Sequence, residues 1–185
     1  IVAFSFWYVV FEDGNENFRA QIETFCLINR PNNFEKCVAD YGLGHSSKPT
    51  AFLTAKDRIV NIFLNNIYVL MFTLVFSLIF GAGAIFILAW NASVIAAAIG
   101  IFSKSSLSNL PLGIIRYMIH GIPEIGSYFT GALAGGIISI AVIKHDLKSE
   151  KFWIILQDSL NLIILAVVLL IIAALIEVFI TPILF

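Results

Sequence analysis

The chain has 185 residues, of which 59% are hydrophobic and 12% are charged, and its formal net charge is -1. Soluble domains carry about a quarter charged residues, so this composition excludes an ordinary soluble domain and predicts a multi-pass membrane protein with the lipid bilayer as its solvent. A chain without a basic excess has no electrostatic footprint for nucleic acid, so no nucleic-acid partner is expected.

The chain opens with an apolar stretch, IVAFSFWYVVF, followed by a polar region. A membrane span needs about 20 residues, so we interpret residues 1 to 11 as the end of a truncated first transmembrane helix. Residues 12 to 60 are predicted to form a polar loop that contains Cys26 and Cys37. These cysteines form a disulfide if the loop lies outside the cytoplasm, or else they are two small buried side chains.

Residues 61 to 185 are predicted to form the membrane helical domain. The apolar run from residue 61 to 102 is about twice the length of one span, and the glycines at 81 and 83 divide it into a hairpin. Residues 106 to 119 are too short to span and are predicted to be interfacial or re-entrant. The predicted spanning helices are 61–81, 84–102, 123–143 and 152–181, so the fold class is an all-α polytopic bundle of about five spans.

Lysines predict the orientation of this bundle. Lys144, Lys148 and Lys151 lie close to helix ends in the connector before the last helix. Lysine and arginine beside membrane helices favour the cytoplasmic side. We therefore expect a multi-pass protein of the cell membrane with the cysteine loop on the extracytoplasmic side.

Ionisable residues inside the apolar segments are the candidate functional residues, because such groups are costly in lipid and tend to face partners or pathways. His120 and Glu124 flank Pro123, which favours the first position of a helix, and Glu177 lies near the end of the last helix. Each acid also has a purely structural interpretation. Glu124 could stabilise the start of a helix, and the Glu177 side chain could extend to water at the membrane surface. The predicted functional cluster comprises His120, Glu124, Glu177 and Arg116.

Small residues four apart mark a packing face on the helix after Pro123. Such faces allow helix backbones to approach closely in lipid, either within one chain or between copies. The packing residues are Ser127, Gly131, Gly135 and Ser139, and the polar insertions in predicted spans are Asn65, Asn66 and Asn91.

Enzymatic signatures are missing from the sequence. It contains no HExxH and no GxSxG motif, which are the patterns that position zinc ligands or a serine nucleophile. We therefore predict no catalytic residues, no cofactor and no metal site.

Four segments together are similar to a known family: NIFLNNIYV, WNASVIAAAIG, HGIPEIGSYFTGALAGG and LIEVFITP. The pattern resembles the stage II sporulation protein M family over roughly residues 58 to 184. Its most specific pieces are His120-Gly121, Glu124, and Glu177 followed by Thr181-Pro182, whereas the family's Asn-Gly reads Asn91-Ala92 here. The resemblance implies a membrane protein of about five spans with a polar loop after the first.

The resemblance also implies a function. The member of this family that takes part in sporulation is similar to a membrane scaffold, which works with partner proteins in remodelling peptidoglycan during engulfment. We predict a non-enzymatic integral membrane protein that is a scaffold or a component of a membrane complex or homo-oligomer. The alternative is a cation or proton channel or transporter that uses the intramembrane His/Glu cluster.

Overall fold

The computed structural model describes most of the chain after residue 17. The described residues are Ser5, Val10, 18–29, 33–40, 55–81, 84–103, 107–144 and 149–184. Apart from Ser5 and Val10, the predicted first membrane helix lies outside the described residues, as do Lys148 and much of the polar loop.

The described chain is a succession of helices. A 3₁₀ turn at Leu107–Asn109 precedes the third long helix, and a π-helical turn at Ile176–Ile180 follows the fourth. The α-helices are α1 (Arg19–Asn29), α2 (Phe34–Asp40), α3 (Ala55–Phe80), α4 (Ala84–Ser103), α5 (Leu110–Ile143), α6 (Glu150–Leu175) and α7 (Thr181–Leu184).

Within the described residues, four helical segments are long and apolar enough to cross a membrane. This confirms the predicted all-α membrane bundle. Many large apolar side chains on these helices are exposed, as expected for surfaces that face lipid instead of water. The four segments are Ile59–Phe80, Ala84–Ser103, Leu110–Ile143 and Glu150–Leu184.

The prediction that Pro123 starts a helix is wrong, because Pro123 lies inside α5. The interfacial segment and the following span are therefore one helix of 34 residues. Proline removes one backbone hydrogen bond, but membrane helices tolerate it where neighbouring helices satisfy the freed groups. Gly113 does not break the helix either: a Cβ there would lie 3.0 Å from the side chains of Phe102 and Ser103, so glycine allows close packing on α4.

The helix boundaries around the first hairpin follow local chemistry. α3 begins at Ala55, six residues before the predicted start, because alanine and lysine favour helix. It ends at Phe80, and Gly81 then takes a left-handed φ of 59°, which glycine adopts without steric cost. The helix α6 begins two residues before its predicted start, where the Ser149 side chain accepts a hydrogen bond from the Phe152 N–H at 3.2 Å.

The chain divides into two compact units. The first comprises Ile1–Asn61, Trp90–Met118 and Leu184–Phe185, and the second comprises Ile62–Ala89 and Ile119–Ile183. Each unit has its own buried core, so each is described separately below.

The core of the first unit is built around a disulfide between Cys26 of α1 and Cys37 of α2. The buried faces of both helices pack in one cluster with Ala97 and Ala98 of α4. Polar contacts support this packing, since the Gln21 amide donates to the Ser93 hydroxyl at 3.3 Å. The disulfide-linked pair α1 and α2, named the stapled hairpin here, is thus fixed to a membrane helix.

Candidate functional site

In the second unit, Glu124 and Tyr128 form a polar pair one turn apart on α5. The Tyr128 hydroxyl donates to a carboxylate oxygen of Glu124 at 2.9 Å. Tyr128 is fully buried and packs with Leu70 of α3 and Leu170 of α6. Glu124 is half-buried, and a carboxyl group that loses water is costly without a hydrogen bond. The Tyr128 phenol supplies one such bond.

Glu177 approaches the same pair from the other end of the chain. It lies in the π-helical turn Ile176–Ile180 and interacts electrostatically with Tyr128. Glu124 and Glu177 therefore both lie in the second unit.

The π turn is explained by the residues that follow Glu177. Pro182 has no N–H, and its ring would collide with the carbonyl one α-helical turn earlier. The helical hydrogen-bonding pattern therefore changes from four residues to five. The Thr181 N–H donates to the Ile176 carbonyl, five residues back, and the Thr181 hydroxyl donates to the same oxygen at 3.2 Å. Isolated π turns of this kind are frequent at functional sites.

The remaining members of the predicted cluster are placed differently. His120 lies one turn before Glu124 on the same face of α5, but the hydrogen bond that Glu124 accepts comes from Tyr128. Arg116 belongs to the first unit, where its guanidinium carbon lies 5.3 Å from the centroid of the Phe102 ring.

The small-residue face of α5 packs against α3 within the second unit. A Cβ on Gly131 would meet the end of the Leu70 side chain, and a Cβ on Gly135 would lie 2.6 Å from the Leu74 backbone oxygen. The Ser77 hydroxyl also donates to the Ala132 carbonyl at 2.5 Å. The glycine pair therefore joins two helices of one chain, whereas Ser139, further along α5, is half-buried.

These contacts show the relative direction of α3 and α5. Gly131 lies against Leu70, and Gly135 lies against Leu74, Ser77 and Leu78, so the two helices run in the same direction. Asn66 of α3 and Ser127 of α5 each lie one turn before the contact between Leu70 and Gly131.

The three predicted polar insertions differ in burial. Asn66 is 6% exposed, whereas its neighbour Asn65 is half-buried. Asn91 is also half-buried and lies on α4 in the first unit.

Two serine hydroxyls in this unit are unusual. Thr73 and Thr130 bond back to the carbonyl one turn earlier, both at 2.8 Å, which is the normal way for a helix to satisfy a hydroxyl. Ser127 and Ser159 are fully buried, yet within the described part of the chain neither hydroxyl has a hydrogen-bond partner.

The chemistry available here is that of oxygen ligands and hydrogen bonds. In the described ranges, no three His, Cys, Asp or Glu side chains come together as a metal site would require. The inward-facing groups are instead a carboxylate, a phenol, a hydroxyl and an amide, which suit a proton or a hard cation better than a soft metal.

Tyr128 is the site residue that sequence reasoning missed. Arg116, His120, Glu124 and Tyr128 follow one another at intervals of four residues, which aligns them on one face of an unbroken helix. That signal was hidden by placing a helix start at Pro123.

The helices and their internal polar cluster define a multi-pass α-helical integral membrane protein. The family model described as stage II sporulation protein M matches residues 1–182, and the chain belongs to that family. A relative, an uncharacterised protein of Methanocaldococcus jannaschii, is 34% identical over 127 residues, which are 66% of this chain and 70% of the relative. No solved structure matches the chain.

Proposed function

We propose that this protein is a non-enzymatic membrane scaffold, a component of a complex with other membrane proteins. The observation that carries the proposal is the stapled hairpin, whose buried face is fixed to α4. Its outer face exposes charged side chains, including Arg19, Glu35 and Lys36. A polar module held rigidly on a membrane helix presents a preorganised contact surface, and preorganisation lowers the cost of binding a partner.

The scaffold proposal is tested by cross-linking in native membranes followed by mass spectrometry. Lys36→Glu reverses an exposed charge on the hairpin, and Lys151→Glu reverses an exposed lysine on α6 as a matched control. We expect Lys36→Glu to deplete the partners captured by wild type and Lys151→Glu to retain them. Equal capture by both variants would remove the hairpin as the contact surface.

Self-association is a form of complex that uses a different surface. Because Gly131 and Gly135 already pack on α3, we expect a homo-oligomer to use other surfaces, such as the exposed apolar faces or the hairpin. Native mass spectrometry in lipid nanodiscs measures the number of copies directly, and a monomer at all concentrations would leave only partners of a different kind.

We also propose that the hairpin lies on the extracytoplasmic side of the cell membrane. Disulfides persist in oxidising compartments, and Cys26 and Cys37 are joined by one. Both cysteines are buried, so the test places a new cysteine at the exposed position 35 of the hairpin (Glu35→Cys). An impermeant maleimide should label this cysteine in intact cells. Labelling only after the cells are broken would place the hairpin inside.

A cation or proton pathway is the second candidate function. The observation that favours it is the placement of Glu124, Tyr128 and Glu177 within segments able to span the membrane. Ion flux into liposomes, measured for wild type beside Glu124→Gln and Glu177→Gln, separates the candidates. Flux that the variants lose supports a pathway, and background flux in folded protein favours the scaffold.

A further inference from the structure

We propose that the second unit contains a binding site for one hard monovalent cation, Na⁺, between α3 and α5. Its ligands are a carboxylate oxygen of Glu124, the hydroxyl oxygen of Ser127 and the amide oxygen of Asn66. The proposal concerns binding and not transport, so it holds whether or not the protein is a scaffold.

The unpartnered hydroxyl of Ser127 points to a ligand. Its side chain is fully buried, and within the described residues the hydroxyl bonds to nothing. Buried polar groups are normally satisfied, and each exception calls for an explanation such as a bound ion. Since Thr130, three residues later on the same helix, does bond back to its own helix, helical geometry does not account for Ser127.

The direction in which Ser127 faces follows from its neighbours on α5. Residues three and four apart share a helix face, so Ser127 shares one with Glu124 and with Gly131. Gly131 lies against Leu70 of α3, and Asn66 lies one turn before Leu70 and is 6% exposed. The hydroxyl, the carboxylate and the amide therefore lie within about one turn of one another along the interface of α3 and α5.

The charge of Glu124 supplies the reason for a cation. One of its oxygens accepts the Tyr128 hydrogen bond, which leaves the other for a ligand. Within the described chain Glu124 forms no ion pair with a lysine, arginine or histidine, and a lone carboxylate in lipid is costly. A water molecule would satisfy Ser127, whereas a cation would also balance the charge of Glu124 in its ionised form.

The backbone around Pro123 provides a further oxygen. Pro123 cannot donate to the carbonyl of Ile119, which lies in the turn before Glu124. Backbone carbonyls freed in discontinuous membrane helices coordinate Na⁺, and the Ile119 carbonyl would be an oxygen of the same kind. The donor set is thus entirely oxygen, with a single hydrogen-bonded carboxylate at its centre, and it matches a monovalent hard cation.

The experiment measures the melting temperature of detergent-solubilised protein in NaCl at constant ionic strength, with N-methyl-D-glucamine chloride as the replacement salt. A cation that binds only the folded state stabilises it by mass action. At a Na⁺ concentration ten times the dissociation constant, the melting temperature of a chain of this size rises by roughly 3–6 °C.

Two variants test the ligands, and a third is the control. Ser127→Ala and Glu124→Gln should each weaken the apparent Na⁺ affinity at least about tenfold, because each removes a proposed ligand. Ser159→Ala removes an equally buried, unpartnered hydroxyl elsewhere in the unit and should leave the Na⁺ response intact.

Two outcomes would overturn the proposal. Equal melting temperatures in the sodium and N-methyl-D-glucamine salts would show that wild type has no Na⁺ site. A sodium response retained in both Ser127→Ala and Glu124→Gln would place the bound cation elsewhere. Neither outcome bears on the scaffold, which is judged by partner capture through the hairpin.

Discussion

Substituting Gly135 with alanine probes the closest approach between α3 and α5. A Cβ at this position would lie 2.6 Å from the Leu74 backbone oxygen, whereas ordinary contact begins at 3.4 Å. The two helices must therefore separate locally by about 0.8 Å, since a backbone atom in the middle of a helix has no rotamer to change. Forced overpacking of this kind costs about 1–3 kcal/mol.

Gly136 provides a matched control for that substitution. A Cβ on Gly136 would lie 3.5 Å from the Ser77 hydroxyl, which is ordinary van der Waals contact. Replacing glycine by alanine inside a helix also gains about 1 kcal/mol of intrinsic propensity, and this gain is shared by both variants. The difference between Gly135→Ala and Gly136→Ala therefore isolates the steric cost.

The assay is thermal unfolding of the purified protein in detergent, followed by intrinsic fluorescence. With about 2–4 °C per kcal/mol for a chain of this length, Gly135→Ala should melt roughly 2–12 °C below Gly136→Ala. Gly131→Ala should fall between them, because its Cβ meets the flexible end of Leu70. If the two variants melt within about 1 °C of each other, the tight backbone approach is refuted.

Three further changes test separate contacts. Ser77→Ala removes the hydroxyl that donates to the Ala132 carbonyl and should cost about 0.6–2 kcal/mol, seen as a lower melting temperature; no change would mean that the bond adds nothing. Replacing Cys26 and Cys37 by serine removes the disulfide and should destabilise the stapled hairpin by about 2–4 kcal/mol. Proteases should then cleave the hairpin faster, and unchanged cleavage would contradict this. Tyr128→Phe removes the donor to Glu124 and should cost about 1–3 kcal/mol, and a melting temperature equal to wild type would show that another group satisfies the acid.

The hydrophobic pattern was sufficient to predict the membrane bundle. Long apolar runs identify spanning helices because lipid demands about 20 apolar residues each. The helix α3 ends at Phe80, just before the left-handed Gly81. The disulfide was one of two alternatives for Cys26 and Cys37, because residue spacing alone does not determine whether two cysteines meet.

Local rules failed where tertiary packing overrides them. Pro123 is typical of a helix start, yet it lies within a continuous α5, because a membrane helix tolerates proline when the freed backbone group finds another partner. Sequence also does not reveal that Tyr128 satisfies Glu124, since that depends on the continuity of α5 through the proline.

The π turn before Thr181 has a consequence for comparing this chain with its relatives. A π turn accommodates one residue more than an α-helical turn without interrupting the helix. A relative that lacks one residue between 176 and 180 would form an ordinary α-helical turn there, and its later side chains would keep the directions that they have here. Insertions and deletions are therefore expected at this turn, and an ungapped alignment across it would pair Glu177 or Thr181 with the wrong position.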